Sequence, residues 1–270
     1  MIHVKIIADD DYVSQYSNDF TSRWDDLIEW DKRAEGEGGF FTDRLHEAGV
    51  RTLIDVSTGS GFHAVQMKRA GFEVCAADGS PTMVERARQN FRHYGLDLPL
   101  HHLDWRQLSP QRLGTFDAVL CLGSSLCHVF DALERQRILR RFHSLLKTGG
   151  LLIVDQRNFL AIRAGQYQAS GNYYYCGKSV SVIIGEVTDQ VCEFIYRFND
   201  GSTYRLRVCP VLPETLGAEI AASGFNYQNH YGDFSLDYES MKADFIIHTA
   251  RAAPSANGSQ GSHSLQGNGS

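Results

Sequence analysis

The chain has 270 residues, 43% of them hydrophobic and 21% charged, which is enough apolar material for one large domain with a buried core. Its 26 basic and 32 acidic residues give a formal charge of −6, and no Lys/Arg run is long enough to indicate nucleic-acid binding. No apolar run approaches the roughly 20 residues that span a bilayer, so we expect a cytoplasmic protein with a small-molecule partner, and neither nucleic acid nor membrane.

The first 45 residues carry aromatic side chains in a polar setting. Residues 29–49, EWDKRAEGEGGFFTDRLHEAG, are typical of a helix that enters the domain. Residues 46–252 are then expected to form the main domain.

Short apolar runs alternate with helical stretches from residue 51 onward. The predicted strands are RTLIDV, FEVCAAD, LPLHHLD, FDAVLCLG and LLIVDQRN. The helices between them, GFHAVQMKRAG, PTMVERARQNFRHYG and DALERQRILRRFHSLLKTGG, each end on glycine after basic residues, which is typical of a helix C-terminus. This alternation predicts an α/β fold with a parallel sheet.

The pattern changes after Asn158. Residues 172–209 are rich in β-branched and aromatic side chains, and Asn199-Asp200-Gly201 is a strong hairpin signal, so an antiparallel meander is expected within an insertion at about 163–210. One more helix, PETLGAEIAASGF, and a last strand, FIIHTARA, follow. Residues 253–270 lack any apolar run and are expected to be a disordered tail.

Six cysteines are scattered singly, without a CxxC pair or a histidine at zinc-ligand spacing. They are Cys75, Cys121, Cys127, Cys176, Cys192 and Cys209. Reduced, mostly buried thiols and no metal site are therefore expected.

A glycine turn follows the first predicted strand in residues 53–61, LIDVSTGSG. Such a turn brings backbone N–H groups close to a ligand, but the GxGxxG pattern of nicotinamide dehydrogenases is missing. The second strand ends at Asp78, 17 residues after Gly61. A carboxylate there accepts both hydroxyls of a ribose, and the alternative is that Asp78 only caps a helix.

Together, DVSTGSG, AADGS, LHHLDW and FDAVLCLG resemble class I S-adenosylmethionine-dependent methyltransferases, which have a Rossmann-like sheet with helices on both faces. The resemblance implies that Asp55 faces the methionine part of the cofactor, Asp78 the ribose, and Asp104 the adenine beside Trp105. It also assigns to the cofactor site Ser57, Gly59, Gly61, Gly79 and Leu122. Ser57 departs from the pattern, which commonly has glycine there.

CLGSSLCHVF and IVDQRNF are similar to a narrower group, the glycine N-methyltransferase branch and its glycine/sarcosine N-methyltransferases of betaine synthesis. The likeness runs from WDDLIEWDKRAEGEG through NYYYCG and FNDGSTY to DFIIH. It implies that Arg157 binds the substrate carboxylate, which suits a planar guanidinium; the alternative for Arg157 is a structural ion pair. Asn158 is expected to hold the loop or line the site.

The same resemblance places Tyr174 and Tyr175 in the substrate pocket. Because a strand alternates its faces, Tyr173 is expected to point outward or pack. Ser124 stands where the family commonly has asparagine near the reacting amine, which bears on which amine is used.

The resemblance also makes residues 1–45 a lid over the cofactor. Within it, Arg33 is expected to reach the cofactor carboxylate, and Trp24 and Tyr16 to cover the cofactor, with Tyr12 as the weaker choice for the latter role. His128 is expected on the cofactor side, although a buried histidine satisfied by backbone is the commoner outcome.

The expected function is N-methylation of glycine and sarcosine toward dimethylglycine by a transferase that uses S-adenosylmethionine. An N-methyltransferase of another small amine or amino acid is the alternative within this chemistry. Two other classes are a nicotinamide dehydrogenase and a catalytically silent cofactor-binding protein. The carboxylate clamp at Arg157 weighs against the second of these, since a mere binder of the cofactor does not need it.

Overall fold

A computed structural model describes residues 11–169, 171, 173–174 and 177–254. The predicted tail therefore lies outside the described residues from position 255 onward. Ala253 still belongs to the fold, since its N–H donates to Gly224 O at 3.0 Å.

Helices and strands alternate through the middle of the chain. The helices are α1 (Asp11–Gln15), α2 (Asn18–Ser22), α3 (Trp24–Ile28), α4 (Trp30–Glu37), α5 (Phe40–Glu47), α6 (Phe62–Arg69), α7 (Pro81–His93), α8 (Pro110–Leu113), α9 (Ala132–Ser144), α10 (Phe159–Arg163) and α11 (Pro213–Ala221). The strands are β1 (Thr52–Asp55), β2 (Glu73–Asp78), β3 (Leu100–His102), β4 (Phe116–Cys121), β5 (Leu146–Arg157), β6 (Val180–Val187), β7 (Cys192–Phe198), β8 (Thr203–Val208), β9 (Phe225–Gly232) and β10 (Phe245–Ala252). None of the helices described combines the length and apolarity needed to cross a membrane.

Seven strands form the central sheet in the order β3-β2-β1-β4-β5-β10-β9. The first five are parallel, and β10 runs antiparallel to both β5 and β9. The order reverses between β1 and β4, and ligands of such sheets bind beyond the carboxyl ends of the strands at this reversal. The topology therefore places a binding site beside the glycine turn.

Two apolar cores cover the two faces of the sheet, as the sequence predicts. Alternate residues of the same strand face opposite cores: Leu53 and Leu120 face one, and Ile54 and Val119 the other. The first core also takes side chains from the N-terminal helices, α6, α7 and the meander. The second takes side chains from α9 and α11.

Two predicted helices differ in their bounds. The stretch 29–49 is split into α4 and α5, because Gly38 and Gly39 both have positive φ (56° and 83°), a conformation that a continuous helix excludes. Helix α9 ends at Ser144, and residues 147–150, expected as its cap, already belong to β5. The other two glycine stops are confirmed: Gly71 and Gly95 follow α6 and α7 with φ of 96° and 65°.

The antiparallel meander is confirmed as a separate three-stranded sheet, β6-β7-β8, with Gly201 at φ 89° in the predicted hairpin turn. It begins at Val180, later than expected. The sequence reading missed β9, FNYQNHYG, whose side chains are mostly polar and exposed because it is an edge strand paired only with β10.

The N-terminal helices are clamped onto the meander. Phe20 stacks on Tyr204 with ring centroids 4.6 Å apart. Arg23 donates to Ser202 Oγ at 2.6 Å and also to Asp200, in the hairpin turn. We call this set of contacts the N-terminal clamp; it joins the segment predicted as a lid to the inserted sheet.

Candidate active site

A cleft of about 1010 Å³ opens beyond the carboxyl ends of β1, β2 and β4. A smaller pocket of about 450 Å³ adjoins it. The two share a wall made of Tyr16, Trp24, Ile28, Arg33, Gly123 and His128. A long ligand in the cleft and a small one in the pocket would therefore meet at this wall.

The glycine turn forms the floor of the cleft. Gly59 lines it, at φ 55° and with no atom within 4 Å of the position that a Cβ would take. Ser57 also lines it, and its hydroxyl donates to Leu122 O and accepts from Leu122 N, both at 3.0 Å. Serine therefore ties the turn to the end of β4, which the glycine usual at this position could not do.

Two residues assigned to the cofactor site do not line the cleft. Gly61 caps α6, and a Cβ there would lie 2.6 Å from Phe91 Cε1, so glycine permits the packing of α6 against α7. Asp55 is 1% exposed and accepts from Ser57 N at 3.2 Å. Burial raises its pKa. Asp55 therefore supports the backbone of the glycine turn and does not face the cleft.

Asp78 lies at the tip of β2 and lines the cleft. One carboxylate oxygen accepts from Gly59 N and the other from Ser80 N, both at 2.8 Å. Burial raises the pKa of this carboxyl to about 6. Each oxygen has a second lone pair, so the carboxylate can still accept bonds from a ribose.

Asp104 and Trp105 line the cleft beyond the end of β3. Trp105 Nε1 donates to Val56 O at 2.6 Å, which fixes the indole against β1. Asp104 accepts from the hydroxyl of Tyr12 at 3.2 Å. A Cβ on Gly79 would lie 2.2 Å from that same hydroxyl, so glycine makes room for Tyr12. The sequence reading gave Tyr12 little weight, yet it lines the cleft.

The N-terminal segment covers the wall between the two pockets. Tyr16 packs edge-on against Trp24, with ring centroids 5.4 Å apart. The Tyr16 hydroxyl lies 3.0 Å from His128 Nε2. Burial lowers the pKa of His128 to about 4, so the ring is neutral at pH 7. All three side chains line the shared wall.

Arg33 belongs to a buried charged cluster that the sequence reading missed. Its Nε donates to Glu37 Oε1 at 3.0 Å, and His63 Nε2 lies 2.9 Å from the same oxygen. His63 and Arg33 lower the pKa of Glu37 against the effect of burial. The i,i+4 spacing of Arg33 and Glu37 in the sequence is the one pattern that could have predicted their ion pair. No pattern in the sequence indicates that His63, on α6, would join them.

Two guanidiniums, those of Arg33 and Arg157, line the smaller pocket together with Ser124, His128 and mostly apolar or aromatic side chains. Arg157, 3% exposed, lies between the rings of Tyr174 and Phe194, at 4.3 and 4.5 Å from their centroids. Its Nη1 donates to the Tyr167 hydroxyl at 2.5 Å. These contacts hold the guanidinium plane in place at the wall of the pocket.

Tyr173 and Tyr174 lie in a bend and not in a strand, so the alternation of strand faces does not apply to them. Tyr173 and Tyr174 are both buried, with ring centroids 4.6 Å apart. Tyr174 lines the pocket, and Tyr173 is fully buried beside it, which agrees with the packing role and not with the outward one. Tyr175 lies outside the described residues.

Asn158 holds a loop and does not line either pocket. Its Nδ2 donates to Ser240 O and Ala243 O at 2.7 and 2.8 Å, and its Oδ1 accepts from Ala161 N at the start of α10. The amide is thus committed to backbone partners, which favours the loop-holding alternative.

Ser124 lines the smaller pocket in a left-handed backbone conformation, at φ 60°. Its Oγ accepts from Arg157 N at 3.3 Å and donates to Cys127 Sγ at 3.6 Å. Left-handed backbone is costly for residues with a Cβ and easiest for glycine and asparagine. The asparagine common in the family would be less strained here than serine.

This strain predicts an unusual order of stability. Ser124→Ala and Ser124→Gly both lose the Oγ bonds, but only glycine relieves the backbone. We therefore expect the glycine variant to be more stable than the alanine variant by about 1 kcal/mol in urea unfolding. The same pair at Ser125, which starts a 3₁₀ helix and is not among the residues with positive φ, should give the opposite order. Equal stabilities at position 124 would contradict the left-handed conformation.

Comparison with known proteins defines the class of this protein. The family described as "Methyltransferase domain" matches residues 53–150. The crystal structure of an S-adenosylmethionine-dependent methyltransferase from Clostridium acetobutylicum superimposes with a TM-score of 0.69 at 18% identity, covering 87% of this chain and 98% of that one. The fold is that of the class I methyltransferases.

Two relatives are similar over almost the whole chain. Glycine/sarcosine N-methyltransferase from Halorhodospira halochloris is 42% identical over 246 residues, which are 91% of this chain and 92% of that protein. The protein of the same name from Parasynechococcus marenigrum is 40% identical over 244 residues, 89% of this chain and 86% of that protein. The chain belongs to the glycine/sarcosine N-methyltransferase family.

Proposed function

We propose that this protein transfers methyl groups from S-adenosylmethionine to the amino nitrogens of glycine and sarcosine, producing sarcosine and dimethylglycine. The observation that carries the choice of acceptor is the buried Arg157, held in a small pocket that shares a wall with the cofactor-sized cleft. A pocket with a fixed guanidinium selects a small molecule that bears a carboxylate.

The cleft suits the cofactor. Asp78 would hold the ribose, and Asp104 and Trp105 the adenine. Gly59, without a side chain, lets the turn approach the ligand closely. The shared wall, with Arg33 and Trp24, is where the methionine part would lie. When bound, S-adenosylmethionine supplies a methyl group on a positively charged sulfur.

The catalytic contribution of this chain is mainly orientation. Arg157 clamps the carboxylate of the acceptor by two parallel hydrogen bonds, so the amine has one direction to face. Tyr174 helps to hold this clamp in place, because the Arg157 guanidinium lies over its ring. Tyr16 and Trp24 exclude water from the region where the cleft and the pocket meet. Well-oriented reactants can lower a barrier by roughly 7–11 kcal/mol.

The acceptor amine must arrive without its proton. His128 is neutral at pH 7, with Nε2 beside the Tyr16 hydroxyl. The displacement does not require a base on the protein, because water can take the proton before the amine enters. We place the reaction in the cytoplasm, in keeping with five free cysteines among the described residues.

The test is a mass-spectrometric assay of methyl transfer with purified protein and S-adenosylmethionine. Glycine and sarcosine should each gain methyl groups. Methylamine and glycinamide, which lack the carboxylate, are the matched controls and should react far more slowly. If neither glycine nor sarcosine reacts, the proposal fails. Reaction with another amine alone would favour the alternative, an N-methyltransferase of a different small amine. The observation that motivates this alternative is Ser124, which replaces the asparagine common in the family.

A further inference from the structure

Asp155 is a fully buried carboxylate on β5, two residues before Arg157, and it lies outside both pockets. Its Oδ1 accepts from Ser124 N at 2.7 Å, and its Oδ2 accepts from the Tyr173 hydroxyl at 2.5 Å. A buried charge is costly unless it is hydrogen-bonded. The two bonds therefore stabilise the buried carboxylate and join Ser124 and Tyr173 to it.

Through Ser124, the carboxylate fixes one side of the acceptor pocket. The bond to Ser124 N holds this residue at φ 60°, and the Ser124 hydroxyl in turn accepts from Arg157 N at 3.3 Å. The segment after β4 is thus fastened to the end of β5 at two points. Ser124 and Arg157 both line the pocket, so their relative position depends on Asp155.

Through Tyr173, the same carboxylate reaches the cofactor side. The Arg33 guanidinium lies over the Tyr173 ring at 4.6 Å from its centroid, and the Tyr174 ring packs against Tyr173 with centroids 4.6 Å apart. Arg33 lines both the cleft and the pocket, whereas Tyr174 lines the pocket. One carboxylate therefore connects groups that would hold the methyl donor with groups that would hold the acceptor.

We propose that Asp155, acting through Ser124 N and Tyr173, is a positioning residue that sets the distance between the methyl donor and the acceptor amine. The inference rests on the proposed function and adds a residue to it. Because catalysis here depends on orientation, a small displacement lowers kcat more than it weakens binding. A shift of about 1 Å costs on the order of 100-fold in rate.

The test compares Asp155→Asn and Tyr173→Phe with the unaltered enzyme, using kcat per cofactor-binding site, KM for glycine and Kd for S-adenosylmethionine. Asparagine keeps the shape and removes the charge; phenylalanine keeps the ring over which Arg33 lies and removes the hydroxyl. We expect kcat to fall about 100-fold for Asp155→Asn and about tenfold for Tyr173→Phe. The Kd for the cofactor should change by less than about threefold.

Glu219→Gln is the matched control. Glu219 is a buried carboxylate that pairs with Arg135 between α9 and α11, on the other face of the sheet. This variant should lose stability in urea but keep its kcat per cofactor-binding site. If Asp155→Asn also keeps kcat within twofold, or loses cofactor binding as much as kcat, the positioning role is refuted. If the unaltered enzyme methylates another amine, the proposed acceptor fails separately, and the same ratios are measured with that amine.

Discussion

Replacing Arg157 by alanine is expected to lower kcat/KM for glycine by about 1000-fold while leaving the affinity for S-adenosylmethionine nearly unchanged. The guanidinium is buried between Tyr174 and Phe194, and without it the acceptor's carboxylate would lose its partner, since the other guanidinium of the pocket, that of Arg33, is paired with Glu37. Removing one partner of a buried, hydrogen-bonded charge pair typically costs about 2–5 kcal/mol. Arg157→Lys should recover only part of the loss, since an ammonium cannot form the two parallel bonds.

Steady-state kinetics with glycine and calorimetric titration with the cofactor measure the two effects separately. The matched control is Arg163→Ala, six residues later, where the arginine forms an exposed ion pair with Asp189. That variant should behave like the unaltered enzyme. A large loss of cofactor affinity in Arg157→Ala would show that this arginine serves the cleft and not the acceptor pocket.

The second large effect is expected at Asp78, with the opposite pattern. Asp78→Asn removes the charge and one of the acceptors that hold Gly59 N and Ser80 N. We expect the free energy of binding of S-adenosylmethionine to become less favourable by roughly 2–5 kcal/mol. The Kd would then rise about 30-fold to several thousand-fold. The kcat at saturating cofactor should fall much less, because Asp78 does not line the acceptor pocket. Asp97→Asn, at an exposed position before β3, is the control and should leave the Kd unchanged.

The same carboxyl predicts a pH dependence of cofactor binding. Burial raises the pKa of Asp78 to about 6, so the group is charged above pH 6 and becomes protonated below it. The charged form is the better acceptor for ribose hydroxyls, so affinity should fall as the pH drops through 6, by up to about tenfold per pH unit. Fluorescence titrations between pH 5 and 8 would show this. In Asp78→Asn the slope near pH 6 should be absent, and a slope that persists would assign it to another group.

The parallel part of the sheet was predictable because its strands are buried on both faces. Strands such as FDAVLC therefore read as nearly continuous apolar runs, and glycines with positive φ follow helices α6 and α7. Strand β9 was not predictable on the same grounds. Only its hydrogen bonds to β10 define it as a strand, and its exposed polar side chains give no pattern.

Some residues of the candidate site were likewise predictable from the sequence, and others were not. Asp78, Trp105 and Arg157 follow strand ends or sit in short motifs, and the structure places each of them at a pocket wall. Asp155 and His63 could not be recognised, because their partners come from segments far away in the chain. Local sequence carries no record of such contacts; they exist only after the sheet and the N-terminal helices have come together.

The N-terminal clamp has a consequence for the order in which the chain acquires its shape. Arg23 and Asp200 are 177 positions apart, and Tyr204 reaches back 185 positions to Asp19. Closing loops of this length costs conformational entropy before any contact repays it. Because synthesis proceeds from the N-terminal side, Asp19 and Arg23 are made long before the hairpin of β7 and β8 and cannot form these contacts until that hairpin exists. The nascent chain can form β1 to β5 with its binding groove still uncovered.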